Sequence, residues 1–220
     1  MDENKTAILF VLDRSGSMRP LKEDVMGGFD TLIKEQAAEE GEATLTLVQF
    51  DDKYQVDYKD VPLSEVPPLV FEPRGLTAYY DALGRGMVEL GETLSALPEE
   101  ERPGKVIVVV MTDGEENSSQ EWNHEMLKAK VEEQKNKYSW EFVFAAANLD
   151  AEAVGASLGI ANNANFVASS VGTRSVIRDM SKGLSLYRSN GKYEVPPTGT
   201  GRVSSSKPNI GGTPKADSSN

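Results

Sequence analysis

The chain has 220 residues, enough for one domain with a full core and a short appendage, and 39% of them are apolar. It contains no cysteine, which excludes disulfides, thiolate zinc sites and cysteine nucleophiles. Lys and Arg number 23 against 35 Asp and Glu, a formal net charge of −12. That charge repels nucleic acid and anionic membranes and suits a neutral, basic or cation-bridged partner.

In chain order, residues 7–12 (AILFVL) are a continuous apolar run with no polar alternation, the pattern of a strand, here over about 6–12, buried on both faces of a parallel sheet. The run ends in Asp13-Arg14-Ser15-Gly16-Ser17. A helix is expected over about residues 20–40, with Leu21, Val25, Phe29, Leu32 and Ile33 on one face, Pro20 in its first turn and Gly41 at its stop. Gly27-Gly28 weakens such a helix by roughly 1 kcal/mol per glycine, and close packing against the sheet is the expected reason for both. Residues 43–50 read as a second strand, and residues 54–58 as a short strand folded back on it across Asp51-Asp52-Lys53. This puts one antiparallel edge strand on a mostly parallel sheet. Asp51 and Asp52 read as turn residues rather than ligands.

Residues 61–74 hold four prolines and form an extended loop leading to Gly75-Leu76-Thr77-Ala78, where a helix over 78–96 begins. Residues 106–111 (VIVVVM) are the most strand-like run in the chain and end in Thr112-Asp113-Gly114. A polar loop over 115–120, a helix over 121–137, a buried strand over 140–147, a short helix over 151–158, a short strand over 165–167 and a closing helix over 173–188 follow. From residue 191 the composition turns to Gly, Pro, Ser and Thr. The expected division is a domain over 1–190 and a disordered tail over 191–220, too poor in apolar residues to offset the entropy of ordering.

Three pieces carry chemistry. Asp13, Ser15 and Ser17 follow one buried strand, Asp113 follows another, and Thr77 opens a helix. Ligands of open α/β sheets bind at the carboxyl ends of strands, so the five oxygen-bearing side chains are expected to converge on one rim. Carboxylate and hydroxyl oxygens suit a hard cation: magnesium, with manganese and calcium as alternatives. His124, the only histidine, reads as a surface residue of an exposed helix, and Trp122 and Met126 as half-core. Asn148 and Asp150 follow a strand on the same rim and read as turn formers first, with rim contacts as the alternative.

Asp13-Arg14-Ser15-Gly16-Ser17, Thr77 within GLTAYYDAL and Asp113 within TDGEENSS resemble the metal-ion-dependent adhesion site of von Willebrand factor type A domains, and the likeness spans about residues 5–190. Stretches such as DRSGSM, GGF, TDGEENSS and WEF are most similar to stand-alone bacterial and phage members. The resemblance implies a doubly wound α/β sheet, mostly parallel with one antiparallel edge strand, and helices on both faces. It implies Ser15 and Ser17 as direct ligands, Thr77 as a direct or water-mediated one, and Asp13 and Asp113 acting mainly through water. The function it implies is binding rather than catalysis: a divalent cation coordinates an acidic side chain of a partner protein. Intracellular relatives often work with AAA+ ATPases of the MoxR type.

Two other functions compete. A metal-dependent phosphoryl hydrolase would use Asp13 as nucleophile, but such chemistry usually wants a second acid two residues on, where this chain has Ser15, and no base stands beside a nucleophile. A scaffold whose metal only orders loops would lose stability rather than partner binding when Ser15 is changed. The start, Asp2-Glu3-Asn4-Lys5, lacks the basic start and small-residue cleavage site of a signal peptide, and no stretch approaches a membrane span, so the expected location is the cytoplasm.

Overall fold

A computed structural model describes residues 1–194. Most of the tail expected from residue 191 onward lies outside the described residues. Within the part described, Tyr193 is buried and packs over Gly183.

Six strands form one sheet in the order β3-β2-β1-β4-β5-β6. They are β1 (Asp2–Asp13), β2 (Glu42–Phe50), β3 (Tyr54–Pro62), β4 (Pro103–Thr112), β5 (Glu141–Ala147) and β6 (Asn162–Phe166). All pairings are parallel except β2 with β3. The helices are α1 (Lys22–Ala37), α2 (Tyr79–Ala96), α3 (His124–Tyr138), α4 (Ala151–Ser157) and α5 (Ser170–Asn190). Alternate residues of β1 feed two cores. Ile8, Phe10 and Leu12 pack with α1 and α5, whereas Ala7, Leu9 and Val11 pack with α2, α3 and α4. Burial on both faces is why β1 and β4 are apolar without alternation. The expected fold class, an α/β sheet with helices on both faces and one antiparallel edge, is the one observed.

Element ends differ from expectation where local chemistry overrides periodicity. Residues 16–21 form a separate 3-10 helix ahead of α1 rather than its first turn. The third helix starts at His124 because Asn123 caps it, its side chain accepting from the Met126 N–H. β6 begins at Asn162, earlier than its polar sequence suggests. The glycine pair also needs correction. A Cβ at Gly28 would sit 2.6 Å from Ile177 Cδ1 on α5, so the close approach is to a helix and not to the sheet, while Gly27 has nothing within 4 Å. Met126 is 46% exposed rather than half-core, and the Trp122 ring lies over Gly84 of α2.

Strand order fixes where a ligand can bind. From β1 the chain steps outward to β2 and β3, then returns to β4 on the other side of β1. The direction of winding reverses between β1 and β4, and in open α/β sheets the crevice outside the carboxyl ends at that reversal is the ligand site. Asp13 ends β1, and Asp113 directly follows β4.

Candidate metal centre

The two aspartates meet at this reversal because β1 and β4 run in register, Leu12 opposite Met111. One residue further on, the Thr112 hydroxyl donates to Asp13 Oδ2 at 2.6 Å, and the Ser15 N–H donates to Asp13 Oδ1 at 2.6 Å. Both oxygens of this fully buried carboxylate therefore already take a donor. On the other side, the Ser17 hydroxyl donates to Asp113 Oδ1 at 2.6 Å and lies 2.9 Å from Ser15 Oγ. A hydroxyl has one proton. With Ser17's given to Asp113, Ser15 is the donor between the two serines.

Thr77 arrives from the 63–78 loop. Gly75 turns that loop with φ +69°, a left-handed conformation that a side chain resists. The Gly16 N–H donates to Gly75 O at 3.3 Å, and the Arg74 N–H to Arg14 O at 2.7 Å. The hydrogen bonds that hold Thr77 run through its backbone: its N–H donates to Asn117 Oδ1 at 2.9 Å, and its carbonyl accepts from the Asn117 N–H at 3.0 Å. Its hydroxyl faces Gly114, where an added Cβ would sit 3.4 Å from Thr77 Oγ1 and 3.8 Å from Ser17 Oγ. All five expected residues thus stand on one rim, and the space beside Gly114 is bounded by two of the hydroxyls.

Burial pushes the Asp13 carboxyl up to about 6, against the hydrogen bonds from Thr112 and Ser15 and with a smaller push from Asp113. Burial also raises the Asp113 carboxyl, against the hydrogen bond from Ser17. Two carboxylates that resist ionisation at close range are relieved by a cation between them. Among the described residues no group of three or more His, Cys, Asp or Glu forms a metal cluster. A cation here would be held by hydroxyls backed by two acids. The donor set is all oxygen and fits a hard divalent ion. Ser17 suits it further, because its proton goes to Asp113 and, after accepting from Ser15, its oxygen keeps one lone pair to offer.

Several residues that hold the site were not singled out from sequence. Asp51, read as a turn former, is fully buried and does more than turn the chain. Its Oδ2 accepts from Arg14 Nε at 3.0 Å and Arg74 Nε at 2.8 Å, and its Oδ1 from the Lys53 N–H at 2.7 Å. Burial alone would raise this carboxyl, but the Arg74 and Lys53 hydrogen bonds and the Arg14 and Arg74 charges hold it below the usual carboxylate value. Asp51 thus ties the Asp13–Ser17 segment to the Thr77 loop. Thr112 was a missed positioning group, and its place beside Asp113 at a strand end was the available signal. Asn148, with φ +59°, donates from Nδ2 to the Asp113 carbonyl at 3.2 Å, so it touches the rim, whereas Asp150 caps α4. His124 lies 2.9 Å from Ser157 Oγ, away from the site. No helix among the described residues is long and apolar enough to cross a membrane.

No family model matches the sequence, and no curated protein matches it. Solved structures do match in fold. The D319A mutant of the PilB minor pilin from Streptococcus sanguinis superposes with a TM-score of 0.58 at 13% identity, covering 85% of this chain and 63% of that one. Proximal thread matrix protein 1 from the mussel byssus, described with a zinc-occupied MIDAS motif, gives 0.56 at 16% identity, covering 82% and 46%. A von Willebrand factor type A protein from Catenulispora acidiphila gives 0.54 at 13% identity, covering 81% and 42%. The fold is therefore that of von Willebrand factor type A domains. The chain spans less than two thirds of the length of each of these proteins.

Proposed function

We propose that this domain is a protein-binding module and not an enzyme. Ser15, Ser17 and Thr77 hold a divalent cation, magnesium first, and Asp13 and Asp113 act on it mainly through water. A bound cation of this kind supplies a positive, coordinatively open centre to which an acidic side chain of a partner can attach. The observation that carries this reading is the meeting of three hydroxyls and two buried carboxylates from three separate segments at the sheet's reversal point. Asp13 supports binding over hydrolysis. It is fully buried with both oxygens engaged, a poor start for a carboxylate nucleophile. The partner class the resemblance favours is an AAA+ ATPase of the MoxR type.

Thermal unfolding in EDTA, magnesium, manganese and calcium tests the cation, with Asp113→Ala alongside. One-site linkage predicts stabilisation that grows with metal concentration, about 2.7 kcal/mol at a hundredfold excess over the dissociation constant. The expected shift is absent in the variant. No shift with any of the three cations would count against the cation. For the partner, capture of a purified MoxR-type ATPase should require magnesium and be lost in Ser15→Ala with the fold intact. If Ser15→Ala instead unfolds the domain, the scaffold reading gains.

A further inference from the structure

The loop that follows Asp113 carries Glu116, Asn117 and Ser119, which the metal reading leaves unused. Glu116 and Ser119 reach the first turn of α2, and Asn117 reaches Thr77 just ahead of it. Besides the paired Thr77–Asn117 bonds, the Tyr80 N–H donates to Glu116 Oε2 at 3.0 Å and the Asp81 N–H to Ser119 Oγ at 3.1 Å. In return, Asp81 accepts the backbone N–H groups of residues 120, 121 and 122 at 2.8, 3.0 and 2.7 Å. Each side thus satisfies backbone donors of the other. The first N–H groups of a helix have no partner within it, and α2 finds its partners on the Asp113 loop. A carboxylate at this end is also favoured by the helix dipole.

We propose that Asn117 is a positioning residue for the candidate metal centre. It fixes Thr77 to the segment that carries Asp113, so that the two reach the cation as one unit rather than as two independent loops. Asn117 grips the Thr77 backbone from both directions, its side chain accepting from the Thr77 N–H and its own N–H donating to the Thr77 carbonyl, which leaves the Thr77 hydroxyl out of the grip. Loss of the side chain removes one half of the grip and leaves the Thr77 N–H without its acceptor. The Glu116 and Asp81 contacts then hold α2 in place, so the helix stays formed while the Thr77 hydroxyl loses its fixed position. This role rests on the metal reading.

The test is calorimetric titration with magnesium and manganese of the full chain, of Asn117→Ala and Asn117→Asp, and of Val131→Ala as a destabilised control. Val131 is buried in α3, away from the loop. Groups that orient metal ligands typically alter affinity about 10–100-fold, so Asn117→Ala should bind at least about tenfold more weakly. Asn117→Asp keeps the accepting oxygen and should recover the lost affinity, and Val131→Ala should match the wild type. In metal-free protein the Thr77 amide should exchange faster in Asn117→Ala, while amides of the α2 interior keep their protection. Wild-type binding with Asn117→Ala within twofold of it overturns the positioning role and leaves the metal reading standing. Equal weakening in Val131→Ala also overturns it, because the effect would then be general loss of stability. A wild type that binds neither cation overturns the metal reading and this role with it.

Discussion

Asp51→Asn removes one charge from the place where the site's two supporting loops are joined. The Asp51 carboxylate is fully buried and is shared by Arg14 and Arg74. The partners are not equal. The Arg74 side chain is 56% exposed, so its pair contributes about 0–1 kcal/mol. The Arg14 side chain is 6% exposed and would be left with an uncompensated charge. Breaking a buried pair from one side costs about 3–5 kcal/mol, which in a domain of this size lowers the melting temperature by about 6–20 °C. Asparagine can still accept from the Lys53 N–H, so the substitution isolates the charge from the turn. Arg14 Nη2, buried and without a partner, makes the loss of Asp51 harder to accommodate. Urea unfolding at neutral pH gives the free energy directly, the slope being unchanged if only stability has moved. The double variant Arg14→Met with Asp51→Leu removes both charges and should lie closer to wild type than Asp51→Leu alone. A loss below about 1 kcal/mol for Asp51→Asn, or simple additivity in the double variant, would refute the view of Asp51 as a buried ionic junction.

The glycine pair of α1 separates two roles within two residues. Gly27→Ala should stabilise by about 0.5–1 kcal/mol, since the new methyl meets nothing and the helix gains propensity. Gly28→Ala should give no gain, because its methyl falls 2.6 Å from Ile177 Cδ1, and equal stabilisation by both in thermal melts would contradict the packing. Stability in EDTA should also report Asp13. Its carboxyl is raised to about 6 in the fold, against about 3.9 unfolded. The folded state therefore holds the proton more tightly between those values. That contribution is complete below about pH 4 and is lost as pH rises through about 6, roughly 3 kcal/mol in all. Wild type minus Asp13→Asn, followed by urea unfolding across this window, should fall with rising pH, and a level difference would refute the assignment. Stabilisation by magnesium should run the opposite way, fading as pH drops below about 6 because the cation and the proton compete.

The sheet was legible because burial on both faces leaves a mark that survives without context. Val106–Met111 and Ala7–Leu12 have no alternation, and such runs have few other places to go. β6 was the least legible strand. Its sequence, Asn162-Asn163-Ala164-Asn165-Phe166, has little strand propensity, and pairing with β5 supplies what propensity does not. The 3-10 turn at Gly16–Leu21 was hidden for a related reason. Periodicity runs through it into α1, while bonds spanning three residues, from the Met18 N–H to the Ser15 carbonyl and from the Lys22 N–H to the Arg19 carbonyl, keep it 3-10 up to Leu21.

The five candidate site residues were legible from the ends of elements, because strand-end acids and hydroxyls are the groups that topology brings to one rim. What holds them was not legible, and the reason is distance along the chain. Arg14 meets Asp51 across 37 residues, Thr77 meets Asn117 across 40, and Thr112 meets Asp13 across 99. Nothing local distinguishes Asp51 from Asp52, which are adjacent acids in the same turn. One is fully buried between two guanidinium groups and the other is exposed. A turn-forming role explains either residue equally well from sequence, and only the path of the 63–78 loop, folded back over the turn through Gly75, decides which carboxylate is enclosed. The rim where these side chains meet can therefore be read from element ends, while what holds them there comes from contacts whose partners become neighbours only on folding.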